Sequence, residues 1–465
     1  MTTYLNSRTR IALFVNDGAP PVVPYTAFVT LVLSMNATFK KYLGNTSWML
    51  SERVYRLGLS LVVTVLLARY LGPGLFGQLS YAISLVALLT FLNELGLNSI
   101  IVKELVDHPK RREAIKGTAF VMKFVGTGMM CALLVPISLA LNHDAESNLY
   151  IGILAAGMFF QCFAVIDYEF QSRVISKFTA ISMIGQSSIG AILKIACIVL
   201  EAPLLWIVVV QLIESVVLAI GLTYFHSQKS GSMKLWTFDT GLARKLLLAS
   251  WPLMLSTAAV TVYMRIDQVM INTMLGSDAV GRYGAAVRIA EVIYFIPMII
   301  TSSLFPAIIA ARETPQYMQR LQNLYDFVVW LALLIALPII FLSTFIIVTL
   351  FGEAYGSAGT VLMIHTCAAP FVYFGLARSK WIINEGLQHF VLVFTITGAV
   401  LNVLLNYLLI PEYGIQGAAL ASLVSQIIST VVTPLVFKET RIAVLMFVRS
   451  FNLPRVVREQ IRYLP

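Results

Sequence analysis

Apolar runs long enough to cross a bilayer alternate with short polar loops from about residue 47 to residue 437. A hydrocarbon layer about 30 Å thick takes roughly 20 residues of helix. On that measure twelve spans are predicted: 47–68, 75–97, 116–141, 149–168, 178–200, 203–225, 246–275, 281–310, 323–350, 357–382, 389–410 and 414–437. The polar positions between them are unevenly charged. One set of loops is basic throughout, from Lys40, Lys41, Arg53 and Arg56 at the first span to Lys103, Lys110, Arg111, Arg112 and Lys116 after the second and Arg378 and Lys380 after the tenth. The alternate loops hold only Arg69 and Arg282. Short loops rich in Lys and Arg stay in the cytoplasm. Both termini are therefore predicted to be cytoplasmic, with the odd loops outside.

Composition agrees with this pattern. Hydrophobic residues make up 58% of the 465, charged residues only 12%, and the mean hydropathy is +0.83. A soluble domain carries about 25% charged residues, so the chain reads as an all-α integral membrane protein. The net charge of +10 raises nucleic acid as a partner, but loop topology accounts for it and no nucleic acid is expected. Cys131, Cys162, Cys197 and Cys367 fall in separate apolar spans. They read as small buried residues. The histidines have no ligand spacing, so neither a metal nor a cofactor is expected.

An internal repeat organises the chain. LGPGLFGQLSYA at 71–82 aligns with LGSDAVGRYGAA at 275–286, 204 residues apart. Each copy carries two glycines five residues apart at the outer turn, Gly72 and Gly77 in the first and Gly276 and Gly281 in the second, and all four read as hinge or turn positions. Glycine is needed where φ is positive or where helices approach closely. Two six-span lobes follow, 47–225 and 246–437, joined by a basic cytoplasmic linker over 226–245. Two-lobed transporters commonly hold their substrate between the lobes near the midplane. Residues 1–46 form an N-terminal cytoplasmic segment, of which 1–34 reads as an over-called start or a disordered arm. The basic tail, 438–465, reads as an interfacial helix on anionic lipid.

Four ionisable residues sit inside the second copy of the hairpin: Arg265, Asp267, Arg288 and Glu291. At 1.5 Å per residue, Arg265 lies roughly 16 Å below Gly276 and Arg288 roughly 10 Å below Gly281. A charge at that depth faces the bundle interior, a partner or a water-filled path. Shifted back by 204, these positions are Leu61, Val63, Ser84 and Ala87. The hairpin therefore does not require the charges. Either they line a cationic, partly compensated cavity, or they are an ion-pair set pinning two spans. Lys123 and Lys194 are candidate cations in the first lobe, and Lys123 could instead snorkel to the cytoplasmic side. Arg53 and Arg56 bind substrate or anchor the first span. Glu214 joins Asp267 and Glu291 as a charge partner or an ion-coupling residue. Arginine binds phosphate bidentately, which points to a phosphate or diphosphate head group.

No P-loop, HExxH or GxSxG pattern is present. KKYLGNTSWMLSERVYR, LLARYLGPGLFGQLSYAIS, RIDQVMINTMLGSDAVGRYGAAVRIAEVIYFIP, SSLFPAI and LNYLLIPEYGIQGAALASLVSQ together resemble the Wzx-type polysaccharide flippases over residues 35–437. These belong to the MOP exporter superfamily, with the multidrug MATE transporters. The resemblance implies twelve helices in two MATE-like lobes, alternating access, and an undecaprenyl-diphosphate-linked oligosaccharide as cargo. It implies a bacterial inner-membrane location and a role in O-antigen, capsule or exopolysaccharide synthesis. Polymerase and chain-length proteins are possible partners, and Na+ or H+ a possible coupling ion. The expectation is a transporter and not an enzyme. A cation-coupled multidrug exporter would want a more acidic interior. A membrane glycosyltransferase or polymerase would want a larger outer loop.

Overall fold

The computed structural model describes residues 25–141 and 144–455, with side chains from 44 onward except at 306–307. All regular structure among them is helical. The expectations for residues 1–24 and for the tail arginines Arg458 and Arg462 lie outside the described residues.

The first repeat hairpin is a single helical run, α1 (Tyr25–Leu88), broken where Gly72 takes φ 69° and Pro73 opens the second arm. The second arm ends nine residues before the predicted limit of 97, and two short helices follow, α2 (Phe91–Glu94) and α3 (Asn98–Asp107). α4 (Arg112–Ala140) is the third span. α5 (Ala145–Phe160), a 3-10 turn and α6 (Val165–Ser172) share the fourth. α7 (Lys177–Val199) and α8 (Leu204–Lys229) complete the first half.

The second half opens with α9 (Thr240–Leu275), whose first turn is capped by Asp239 accepting from the Leu242 N–H at 2.9 Å. Gly276, at φ 87°, turns the chain into α10 (Ser277–Ile309). α11 (Tyr317–Phe351) follows, then α12 (Ala358–Cys367) and α13 (Ala369–Asn384), bent by 42°. α14 (Gln388–Ile427) is broken at Gly414, where φ is 61°. α15 (Thr433–Val436) and α16 (Arg441–Ser450) end the described chain.

Nine described stretches are long and apolar enough to cross a membrane, or ten with the bent pair. Two of the nine contain the breaks at Gly72 and Gly414 and so supply two crossings each. The twelve spans are thereby accounted for.

The segment between the halves is shorter than the predicted 226–245 and is held against the first half. Trp236 meets Phe120 and His226 edge-on at 5.6 and 5.5 Å, and the Asp239 N–H donates to Thr118 Oγ1 at 3.0 Å. The tail helix α16 is also docked on protein. It buries Ala443, Val444, Met446 and Phe447, Gln322 Nε2 donates to the Met446 carbonyl at 2.9 Å, and beyond the helix Arg455 grips Asp326 at 2.8 Å.

The two repeat hairpins pack on each other at the predicted outer end. A Cβ on Gly77 would lie 1.7 Å from the Ser277 carbonyl oxygen, and one on Gly281 would lie 2.0 Å from that of Pro73. Only hydrogen fits there. Beside this contact Arg69 donates to the carbonyls of Leu350 and Thr349 at 2.7 and 2.5 Å, where α11 leaves orphan acceptors. Tyr355 OH donates to the Ala68 carbonyl at 2.8 Å.

Gly281→Ala is expected to lower stability by about 1–3 kcal/mol, because backbone has to move. Gly74→Ala, with nothing within 4 Å of its Cβ, should be neutral or slightly stabilising. Thermal unfolding of the two variants in detergent checks the contrast, and equal shifts would show that the close approach carries no load.

Candidate functional site

A cavity of about 490 Å³ lies between the halves, walled by α1, α5, α7, α8, α9 and α10. Its ionisable lining is Arg56, Lys194, Glu214, Arg265, Arg288 and Glu291. Four cations face two carboxylates.

Helical spacing sets the arrangement. Arg288 and Glu291 are three apart on α10 and share a face. Arg265 reaches the same carboxylate from α9. Arg265 Nη1 and Arg288 Nη1 each stand 3.3 Å from a Glu291 oxygen. Arg288 Nη2 donates to Ser60 Oγ on the opposite half. Glu291 and Arg265 are about a quarter exposed, and Arg288 more so. Ion pairs this open contribute roughly 1 kcal/mol or less. The triad therefore clamps α9 to α10 only weakly. Lys194 meets Glu214 at 2.7 Å, and Arg56 is paired with Glu52 at 2.7 Å. Ser84 Oγ donates to Gln268 Oε1 at 2.8 Å, linking the halves within the cavity wall.

Other residues singled out from the sequence stand elsewhere. Arg53 lies 5.5 Å over the Phe295 ring and is not among the cavity lining. Lys123 is buried within the first half, where it donates to Asn93 Oδ1 at 3.2 Å. Of the four glycines read as hinge or turn positions, Gly72 and Gly276 are the positive-φ turns, whereas Gly77 and Gly281 lie within α1 and α10 and are the interhelical contacts.

Asp267, two residues from Arg265, points off the other side of α9, into a second cavity of about 530 Å³. Its carboxylate accepts from Tyr283 OH, Asn406 Nδ2 and Ser422 Oγ, each at 2.6 Å. His365 Nε2 stands 3.1 Å from the same tyrosine oxygen. Asp267 is thus tied to neutral donors on three other spans rather than to Arg265.

Sequence reasoning missed two features. Lys116, counted as a loop cation, is fully buried between Glu113 and Glu169 at 2.9 and 3.1 Å. Arg378, also counted as a loop cation, is buried inside α13 on the second cavity's wall. The signal for Arg378 was its place inside the predicted span 357–382. The four cysteines are free, and no group of three or more His, Cys, Asp or Glu converges among the described residues.

The model of the polysaccharide biosynthesis protein family matches residues 42–312. The chain belongs to that family. The MatE family model also matches, over residues 252–408. An uncharacterized membrane protein of Bacillus subtilis, EpsK, is 24% identical over 85% of this chain and 83% of its own length. The probable low-salt glycan biosynthesis flippase Agl15 of Haloferax volcanii is 26% identical over 46% of each chain. The lipid II flippase MurJ in an inward closed conformation superposes with a TM-score of 0.68 at 15% identity, covering 91% of this chain and 93% of its own. The fold is that of the MOP exporters, and this member of the family is a multi-pass transporter of the flippase type, not an enzyme.

The two carboxylates of the second hairpin are expected to differ sharply in this flippase-type chain. Glu291→Ala should shift stability by about 1 kcal/mol or less. Asp267→Ala orphans three buried or half-buried donors and should cost about 3 kcal/mol. Chemical unfolding in detergent measures both, and a larger loss at Glu291 would reverse the assignment of which acid is structural.

Proposed function

We propose that this chain moves an undecaprenyl-diphosphate-linked oligosaccharide from the cytoplasmic to the outer leaflet of the bacterial inner membrane, by alternating access. The observation that carries the reading is the cationic surplus of the central cavity, concentrated where Arg265 and Arg288 share Glu291. A diphosphate offers more acceptor oxygens than one carboxylate. It displaces Glu291 and takes both guanidiniums bidentately, a stronger arrangement than the existing pairs. Arg56 and Lys194, on the opposite half, close on the same head group. The sugar stays among polar wall residues such as Gln186, Gln211 and Gln268, while the isoprenoid tail remains in the bilayer. A cationic drug would meet a net positive wall, which disfavours the multidrug alternative. The basic loops support a cytoplasmic position for both termini.

Asp267 is the favoured coupling residue. Its charge has no cationic partner within 4.0 Å among the described residues, and Asn406 Oδ1 beside it is buried with no hydrogen-bond partner there. A carboxylate, an amide oxygen and hydroxyls are ligands of the type Na+ takes, and the carboxylate equally accepts a proton. Asp267→Asn is expected to abolish the response of transport to an imposed Na+ or proton gradient in proteoliposomes. An unchanged response would assign coupling elsewhere.

Arg265→Ala and Arg288→Ala, each at normal membrane abundance, should lower surface polysaccharide by about tenfold or more, the equivalent of about 1.4 kcal/mol. Lipid-linked intermediate should accumulate on the cytoplasmic face. Lysine at either position should restore part of the activity if charge is the main requirement. Wild-type levels in both alanine variants would sink the cationic-cavity reading.

A further inference from the structure

The second cavity, inside the C-terminal half, has a wall of different character from the central one. It is mostly apolar, with Val260, Met264, Met298 and Phe394 among its lining. Into it faces Arg378, only 4% exposed. No carboxylate lies within 4.0 Å of this guanidinium among the described residues. It donates to the Thr430 carbonyl and lies 4.8 Å over the Phe394 ring and 5.6 Å over Phe374. Its Nε is buried with no hydrogen-bond partner among the described residues. A desolvated charge without a counter-ion costs several kcal/mol, and one carbonyl with two ring faces offsets only part of that. Asp267, on the same wall, is already occupied by three donors.

We infer that this cavity is a second binding site, for an anionic amphiphile: a phosphate monoester held by Arg378, with a hydrocarbon chain lying along Val260, Met264, Met298 and Phe394. Three features favour this ligand class. Guanidinium binds phosphate through paired N–H donors, and Arg378 has donors to spare. The surrounding surface is apolar, which suits a chain and not a sugar. Val260 and Met264 are 41% and 49% exposed, leaving an apolar lip through which a chain can lie. The site is distinct from the diphosphate site proposed above, although Val287 and Glu291 contribute to the walls of both cavities. Both carboxylates of this wall are engaged elsewhere, Asp267 by its three donors and Glu291 by Arg265 and Arg288, so Arg378 is the group left to take a single phosphate monoester on a chain. The central cluster of four selects a more highly charged head.

Two sources share this chemistry, an isoprenyl phosphate and a glycerolipid with a terminal phosphate. Binding of farnesyl phosphate, farnesol, oleoyl lysophosphatidic acid and inorganic phosphate to the purified full chain in detergent, followed by native mass spectrometry, separates them. Farnesyl phosphate is expected to bind about tenfold more tightly than farnesol, with inorganic phosphate weak. That preference should largely vanish in Arg378→Gln and survive in an Arg56→Ala, Lys194→Ala double variant, whose two residues line the central cavity and not this one. Lysophosphatidic acid binding as tightly as farnesyl phosphate assigns the site to bilayer lipid; clearly weaker binding assigns it to an isoprenyl phosphate. Should Arg378→Gln fail to fold, Met298→Trp fills the cavity and should remove binding of both chains. The inference is overturned if phosphate confers no preference, if the preference persists in Arg378→Gln or Met298→Trp, or if it disappears in the double variant. Because the double variant removes two of the four central-cavity cations and leaves Glu291 paired, failure of the flipping mechanism and failure of this site give different results.

Discussion

The backbone contact between the two repeat hairpins is the constraint on which the rest of the molecule depends. At Gly77 and Gly281 the second arms of the hairpins approach so closely that no Cβ fits. Helices touching at one end and not at the other must diverge, and the divergence creates the central cavity. The same contact sets the rotation of α10, so that Arg288 and Glu291 face Ser60 across the gap. Arg69 and Tyr355 strengthen the closed end by satisfying carbonyls on both sides of the junction.

Two neighbouring charges on one helix show how placement divides chemistry. Arg265 and Asp267 are two residues apart on α9, so they project from nearly opposite sides. One enters the polar, half-open central cavity and meets a shared carboxylate. The other enters the interior of the C-terminal half and is held by Tyr283, Asn406 and Ser422. Their opposite charges invite a pairing that the helix geometry forbids. The surplus of positive charge in the central cavity survives because Asp267 is turned away from it.

The membrane class, the twelve crossings and the repeat were legible in the sequence because lipid imposes them locally. Each span must be long and apolar whatever it packs against. Gly72 and Gly276 were legible as turns for the same reason, since a positive φ is a property of one residue. The separate roles of Gly77 and Gly281 were not, because a close approach belongs to two segments at once. Among the charges, Arg288 and Glu291 were readable as a pair from their spacing of three, but that Arg265 shares the same acid required the crossing of α9 and α10.

What the sequence determined by itself was where charge enters the membrane and on which copy of the repeat. Which cavity each charge faces was decided only by the tertiary structure. Lys123 and Arg378 illustrate this in opposite directions. Lys123, a candidate for the central cavity, is buried against Asn93 in the first half. Arg378, counted with the loops, stands on an apolar wall without a carboxylate partner among the described residues. Depth along a helix follows from counting residues. Direction around the helix acquires meaning only when neighbouring helices take their places, because a partner's position is a long-range property of packing that no local stretch encodes.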